Sequence, residues 1–211
     1  MEVMSAVELK RHVFRSPAFK SVVDEAVRFL AGTPVHPLPP TKTFAGAGVY
    51  AIYYCGGYGP YRPLANLNKK QLCVPIYVGK AVPPGWRTAR TQFGATSDLS
   101  NRLRQHAASI KFDADLDIKD FACRFLILTE VEGDLVVPVE AELIRRFKPL
   151  WNTVVDGFGN HDPGKGRYEQ ALSEWDALHP GRLWAKRLRG KSPSATKVLE
   201  RIKAYMAGLG R

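Results

Sequence analysis

The order in which β-rich and helical segments alternate constrains the fold of this chain more than any other feature of its sequence. Two short β-rich runs, 49–54 and 74–78, are separated by a loop rich in glycine, proline and tyrosine. A helical pattern over 98–110, a third β-rich run over 121–128 and a helical pattern over 138–148 follow. This order predicts an α+β fold in which helices flank a small antiparallel β-sheet with about three core strands.

The segments on both sides of this core predict helical extensions. Apolar residues recur at helical spacing over 17–31, and a proline-rich connector follows. Beyond a glycine-rich loop, the sequence continues with two or three basic helical segments. We therefore expect an N-terminal helical extension with its connector, a central core with two loop insertions, and a basic helical C-terminal extension packed on the core. Their predicted bounds are 1–45, 46–155 with insertions at 55–72 and 82–97, and 156–211.

The formal net charge of +11 favours a polyanionic partner, because lysines and arginines that neutralise phosphates release condensed counterions. The charge is concentrated in residues 182–211, where nine lysines and arginines accompany a single acid, Glu200. A basic protein without any role on nucleic acid is the alternative. If the partner is DNA, the basic segment is expected to hold the phosphate backbone. The candidate residues are Arg182, Lys186, Arg187, Arg189 and Lys191.

Cysteine usage and the distribution of apolar residues predict the compartment. Cys55, Cys73 and Cys123 are odd in number and far apart, which suits a reducing environment and forms neither a CxxC motif nor a disulfide framework. No run approaches eighteen apolar residues, so no membrane span is expected. Residues 1–12 combine several charges with no long apolar stretch, so a secretory signal is not expected either. These observations predict a cytoplasmic protein.

Two polar residues of the helix predicted over 98–110 face its apolar side. At about 100° per residue, Arg102 and His106 fall at or beside the stripe that contains Leu103 and Ala107. They are also neighbours on one helix face, because they are four residues apart. An arginine and a histidine that point toward a core need a partner or a function. A buried ion pair with a hydrogen-bonded histidine is the purely structural alternative.

Further polar candidates lie on the next helix and on two strands. Glu140 is at the edge of the buried sector of its helix, in the predicted first turn, where the helix dipole favours an ionised carboxylate. One carboxylate with several waters suits magnesium, although simple N-terminal capping would explain the same position. Glu142 falls outside the buried sector and is expected to be solvated. Tyr50 and Tyr77 lie on predicted strands, where tyrosines often serve only to pack.

These candidates occur within a known pattern. Gly48-Val49-Tyr50 followed by Tyr77-Val78-Gly79-Lys80 resembles the paired strands that name the GIY-YIG nuclease family. Residues 99–106 resemble its arginine helix, and residues 140–144 with 148–152 resemble its metal-ligand helix and closing asparagine. Valine replaces isoleucine in both tripeptides, which a strand tolerates. The whole chain is also similar to the small type II restriction endonucleases of this family that cut the palindrome CCGCGG, the SacII isoschizomers.

The resemblance implies a role for each candidate side chain. Tyr50 would take a proton from the attacking water, directly or after losing its own, with His106 as the candidate acceptor, and Arg102 would contact the scissile phosphate. Glu140 would hold Mg²⁺, for which Mn²⁺ is the expected substitute, and no nucleotide cofactor is implied. Tyr77 would orient the water or the phosphate. Lys80 would add a further donor, and Asn152 would fix the geometry of the site.

The resemblance also implies partners and leaves alternatives open. A palindromic site cut on both strands of double-stranded DNA implies a homodimer, and a restriction enzyme of the bacterial cytoplasm works beside a DNA methyltransferase. Arg87, Arg90 and Gln92 are candidates for contacts to bases, because arginine suits guanine and glutamine suits adenine. A GIY-YIG nuclease of repair or homing type is one alternative, and a non-catalytic DNA-binding protein is the other.

Overall fold

A four-stranded antiparallel sheet forms the centre of the protein in a computed structural model, which describes residues 8–86 and 96–209. The strands are β1 (His36–Pro37), β2 (Ala47–Tyr54), β3 (Tyr77–Ala81) and β4 (Phe121–Leu128). Their order in the sheet is β1-β4-β2-β3, so β2 and β4 are the inner strands. All three pairings are antiparallel.

Helices cover both faces of this sheet. The α-helices of the described residues are α1 (Pro17–Gly32), α2 (Arg62–Asn68), α3 (Asp98–Lys111), α4 (Val136–Phe147), α5 (Leu150–Thr153), α6 (Glu174–Leu178) and α7 (Ala195–Gly208). Short 3-10 turns occupy Leu9–His12, Gly59–Tyr61, Ile118–Asp120, Glu130–Leu135 and Ala185–Arg187. The predicted α+β fold with an antiparallel sheet and flanking helices is confirmed. Nowhere in these described ranges is a helix both long and apolar enough to cross a membrane.

Strand β2 is buried along its whole length because it has a packed layer on each side. Tyr50, Ile52 and Tyr54 face a core shared with α2, α3 and α5. The intervening residues of β2 face the opposite core, which α1 and α4 cover. This division follows from the alternation of side chains along a strand. Tyr50 therefore points toward α3, the helix that carries the predicted arginine and histidine.

The pairing of β2 with β3 brings the tripeptides Gly48-Val49-Tyr50 and Tyr77-Val78-Gly79 side by side. Tyr50 is opposite Gly79, and Ile52 is opposite Tyr77, so the two tyrosines lie diagonally on the same face. Gly48 allows the tight approach of β2 to β4, because a Cβ atom there would lie 2.0 Å from the carbonyl oxygen of Leu126. The glycine of the first tripeptide is thus required by backbone packing.

The structure differs from the sequence expectation in three elements. The insertion at 55–72, predicted as a loop, contains helix α2, which begins at an Arg-Pro pair and buries Leu64 against the core. Strand β3 begins at Tyr77 rather than at Val74, because Pro75 cannot donate a hydrogen bond within a ladder. The two-residue strand β1 in the proline-rich connector was not predicted.

The C-terminal part of the chain shares its apolar core with the sheet. Trp175, Val198, Ile202 and Met206 belong to the same buried cluster as Tyr50. The central aromatic contact is between Trp151 and Trp175, whose ring centroids are 5.9 Å apart in an edge-on arrangement. Residues after α5 are therefore packed into the core that supports β2.

Candidate active site

Tyr50 and His106 form a buried hydrogen-bonded pair between the sheet and α3. The Oη atom of Tyr50 lies 2.6 Å from Nε2 of His106. Relative exposures of 0% and 2% show that both side chains are withdrawn from solvent. The helical periodicity that turns His106 inward thus aims it at a phenol on the facing strand. Phe158 stacks on the imidazole ring, with ring centroids 4.5 Å apart.

Burial sets the protonation states of this pair. Desolvation raises the pKa of Tyr50 well above its ordinary value, reinforced by Tyr77 and opposed by the charge and hydrogen bond of Arg102. Desolvation, together with the positive charge of Arg102, lowers the pKa of His106 well below its ordinary value. Near neutral pH the site therefore presents a neutral phenol beside a neutral imidazole, which is able to accept the phenolic proton.

Tyr77 completes an aromatic group around this hydrogen bond. Its ring centroid lies 6.2 Å from that of Tyr50 and 5.2 Å from that of His106. Burial raises the pKa of Tyr77, whereas the charge of Arg102 acts in the opposite direction. Gly79 leaves room for the Tyr50 hydroxyl, because a Cβ atom at this position would lie 2.4 Å from Oη. The glycine of the second tripeptide is therefore a direct requirement of the site.

Arg102 lies one turn before His106 on α3, and its guanidinium is half-buried beside both phenols. Nη2 donates to the carbonyl oxygen of Gly159 over 2.6 Å. Nη1 donates to Nε2 of His161 at 2.5 Å and to Oε1 of Gln105 at 3.0 Å. Because these partners are neutral, the positive charge of Arg102 is not compensated by them. Such a group suits an anionic ligand.

Glu140 forms an ion pair with Lys80, which joins α4 to β3 at the edge of the site. Their side chains are 16% and 29% exposed, respectively. The expectation that Glu140 lies in the first turn of its helix is wrong, because α4 begins at Val136. The helix dipole acts mainly within the first turn, so the favourable positive charge near Glu140 comes from Lys80 instead.

Glu142 is also placed differently from the sequence expectation. Its side chain is 19% exposed and forms ion pairs with Arg145 and Arg146, so it is not simply solvated. Arg146 extends this contact to Asp24 on α1. Glu142 therefore serves the packing of α1 on α4, on the side of the helix away from Tyr50.

The donor set around Glu140 fits a hard divalent cation that keeps most of its water. Glu140 supplies one half-buried carboxylate, and this carboxylate is already paired with the cationic ammonium of Lys80. Within the described ranges, no group of three or more His, Cys, Asp or Glu could form an all-protein cage. Magnesium binds readily through one or two carboxylates with water completing its coordination.

Asn152 connects α5 to the edge strand β3. Its Oδ1 atom accepts the Val78 amide proton, and its Nδ2 atom donates to the Val78 carbonyl oxygen, both at 2.8 Å. The amide side chain thereby replaces the neighbouring strand that an edge position lacks. Asn152 holds the residue between Tyr77 and Gly79, which is a geometric contribution to the site.

The residues predicted to contact the DNA backbone fall into a buried and an exposed group. Arg182 does not fit a phosphate contact, because it is 3% exposed and its guanidinium is bound by Asp176 and by three backbone carbonyl groups. A run of positive charge does not reveal which member is buried. The side chains that are exposed are Lys186, Arg187, Arg189 and Lys191. The predicted base contacts Arg87, Arg90 and Gln92 lie outside the described residues.

Sequence reasoning missed a loop that reaches the site from the C-terminal segment. Phe158 packs on His106, while Gly159 and His161 bind Arg102. Two glycines beside an aromatic residue and a histidine, in Gly157–His161, were the available signal. That signal is weak, because the partner residues are more than fifty positions away in the chain.

Comparison with known families identifies the family of the chain. A family model described as the Eco29kI GIY-YIG domain matches residues 42–206, which is most of the chain. Comparison with curated proteins gives no match. The matched range contains every side chain of the Tyr50 site described above as well as the loop that contacts Arg102. The chain therefore belongs to the Eco29kI GIY-YIG family, a restriction endonuclease family whose substrate is DNA.

Proposed function

We propose that this protein is a type II restriction endonuclease that hydrolyses both strands of a palindromic DNA site with Mg²⁺. The proposal depends above all on the buried 2.6 Å hydrogen bond between Tyr50 and His106, formed beside the guanidinium of Arg102, whose hydrogen-bond partners Gly159, His161 and Gln105 are neutral. CCGCGG is the site to test first. The family match supports restriction activity, and the arrangement of the side chains supports the chemistry described below.

The first step is removal of a proton from the attacking water. A buried phenol with a raised pKa is not ionised near neutral pH, so Tyr50 needs an acceptor for its own proton. His106 is that acceptor, since it is neutral and hydrogen-bonded to Oη. The water proton passes to the Tyr50 oxygen as the phenolic proton passes to Nε2, and the water oxygen attacks phosphorus.

Arg102 and Tyr77 bind the phosphate during this attack. The charge on the non-bridging oxygens grows toward the transition state, and a preorganised guanidinium stabilises it. Tyr77, placed diagonally from Tyr50, orients the water or a phosphate oxygen. The P–O bond to the 3′ oxygen then breaks, and this oxygen takes a proton from a solvent water molecule, which leaves a 5′ phosphate and a 3′ hydroxyl.

Glu140 would hold the divalent cation, with Lys80 moving from the carboxylate to the phosphate as a further donor. The cation supplies Lewis-acid stabilisation of the leaving oxygen when it is bound. Mn²⁺ is the expected substitute because it accepts the same oxygen ligands. Asn152 keeps β3 in register for both steps.

Cleavage of both strands at a palindrome calls for two copies of this site related by a twofold axis, and therefore for a homodimer on DNA. A type II enzyme of this kind also requires a methyltransferase that protects the host's own sites. The exposed side chains Lys186, Arg187, Arg189 and Lys191 are suited to hold the phosphate backbone, although Arg187 and Arg189 are each paired with an acid in the free protein.

Digestion of a plasmid that carries one CCGCGG site tests the proposal. The expected result is a single linear product with identical ends, formed in Mg²⁺ and abolished by EDTA. Tyr50→Phe should bind the site and fail to cut it, because the phenylalanine keeps the packing and lacks the proton-transferring hydroxyl. Preference for branched DNA would indicate a repair nuclease, and binding without cleavage in Mg²⁺ would indicate a non-catalytic protein. Either outcome overturns the proposal.

A further inference from the structure

A loop from the C-terminal segment holds the guanidinium of Arg102. We call residues 157–162 the arginine-holding loop. The carbonyl oxygen of Gly159 accepts from Nη2 at 2.6 Å, and Nε2 of His161 accepts from Nη1 at 2.5 Å. Gly159 and His161 are 57 and 59 positions from Arg102 in sequence, so folding brings the two segments together.

Arg182 anchors this loop from the side away from solvent. Its Nη2 atom donates to the carbonyl oxygen of Gly157 at 3.0 Å, and Nη1 donates to those of Phe158 and Asn160 at 3.2 and 3.1 Å. Two further 2.6 Å hydrogen bonds reach the carboxylate of Asp176. The guanidinium of Arg182 is buried, and three backbone carbonyl groups of the loop accept from it. Because all of these hydrogen bonds must form together, they restrict the conformation of the loop backbone.

Stacking and close packing complete the anchor. The guanidinium of Arg182 lies between the rings of Trp175 and Trp184, at 4.7 Å from each centroid. The loop then approaches the site so closely that a Cβ atom on Gly159 would lie 2.6 Å from Oη of Tyr77. The arginine-holding loop is therefore a fixed wall of the active site.

We propose that His161 is a positioning residue for Arg102, which it orients toward the scissile phosphate from the arginine-holding loop. This inference rests on the proposed function of the site. A free arginine side chain on a helix samples many rotamers, and ordering it during catalysis would raise the barrier. With Nη2 held by Gly159 and Nη1 held by His161 and Gln105, the guanidinium of Arg102 is oriented before DNA arrives.

The role of His161 requires a neutral imidazole, because a protonated ring has no lone pair with which to accept from Arg102. The charged and titratable groups that face it are Arg102 from α3, Arg182 from beneath the loop, and His106 across the site. Burial and the two arginines lower the pKa of His161. Positioning by His161 is therefore present at neutral pH and is lost when acid protonates the ring.

Three variants test the inference. His161→Ala removes the acceptor, His161→Gln replaces it with an amide oxygen that does not titrate, and His12→Ala is a control at a remote exposed histidine. We expect His161→Ala to slow single-turnover cleavage about 100-fold, with DNA affinity changed less than about threefold. The cleavage rate of His161→Gln should stay within about fivefold of the unmodified rate. Its rate should also fall less at acid pH, because residue 161 then no longer titrates. His12→Ala should cleave normally.

Two kinetic outcomes overturn the inference: His161→Ala cleaving within threefold of the unmodified rate, or His161→Gln being as slow as His161→Ala. A merely structural role would not produce rescue by glutamine together with a changed pH profile. A readout without cleavage separates this inference from the proposed function. In ¹⁵N-labelled protein, rotation about the Cζ–Nη bonds of Arg102 should be slow and should accelerate in His161→Ala. Unchanged rotation refutes positioning, whereas an unmodified protein that cuts no DNA refutes the nuclease proposal.

Discussion

Replacement of Gly79 by alanine should disable the site through a steric clash between the new methyl group and the side chain of Tyr50. The added Cβ atom would lie 2.4 Å from Oη of Tyr50 and 2.7 Å from its Cζ atom, whereas ordinary contact begins near 3.4 Å. The hydroxyl must therefore move by about 1 Å, out of its 2.6 Å hydrogen bond with His106. Misplacement of a reacting group by about 1 Å lowers rates about 100-fold, or about 2.7 kcal/mol of transition-state stabilisation.

The assay is single-turnover cleavage of a labelled duplex, with DNA binding and thermal unfolding measured in parallel. Overpacking at the fully buried Tyr50 should also reduce the unfolding free energy by about 1–3 kcal/mol. Gly32→Ala is the matched control, because a Cβ atom there meets nothing within 4 Å. The reasoning is refuted if Gly79→Ala binds DNA and cleaves it within threefold of the unmodified rate. In that case the Tyr50 hydroxyl does not need its present position.

Three further changes test other parts of the site. Glu140→Gln should abolish cleavage, and extra Mg²⁺ should barely restore it. Glu142→Gln should lower the unfolding free energy by about 1 kcal/mol and leave cleavage intact. Equal losses of cleavage rate in the two variants would contradict these separate roles. Asn152→Ala should lower the unfolding free energy by about 1–3 kcal/mol, measured by denaturant titration, because both backbone polar groups of Val78 lose their partner. The unfolded chain protonates His106 below about pH 6.5 while the folded protein does not, so Tm should fall below that pH, and less steeply in His106→Gln.

The inward-facing candidates could be predicted because they follow from helix and strand geometry alone. A residue such as His106, four positions after an arginine on an apolar face, must point into the structure whatever the partner is. The partner could not be identified in this way, because Tyr50 comes from a strand 56 positions away. Only the combination of several motifs in one order linked these segments. The hydrogen bond between Tyr50 and His106 became apparent only from the structure.

Arg182 shows where sequence reasoning fails. A charge run predicts a solvated surface, and Lys186 and Arg189 follow that rule. Arg182 departs from it because Asp176 and a ring of carbonyl groups compensate its burial, and none of these is signalled by the local sequence. The start of α4 was misjudged for a related reason, since Pro138 is tolerated anywhere in the first turn of a helix and so does not fix its first residue.

The sharing of one core by the sheet and the C-terminal segment has a consequence for synthesis on the ribosome. The hydroxyl of Tyr61 lies 2.7 Å from Nε2 of His179, a residue translated 118 positions later. A nascent chain that has emerged only as far as α5 lacks Trp175, which packs on Trp151 in the core beneath β2, and lacks the loop that binds Arg102. We therefore expect the candidate active site to fold only once the segment through His179 has emerged, and a product of premature termination before this segment to lack the assembled site.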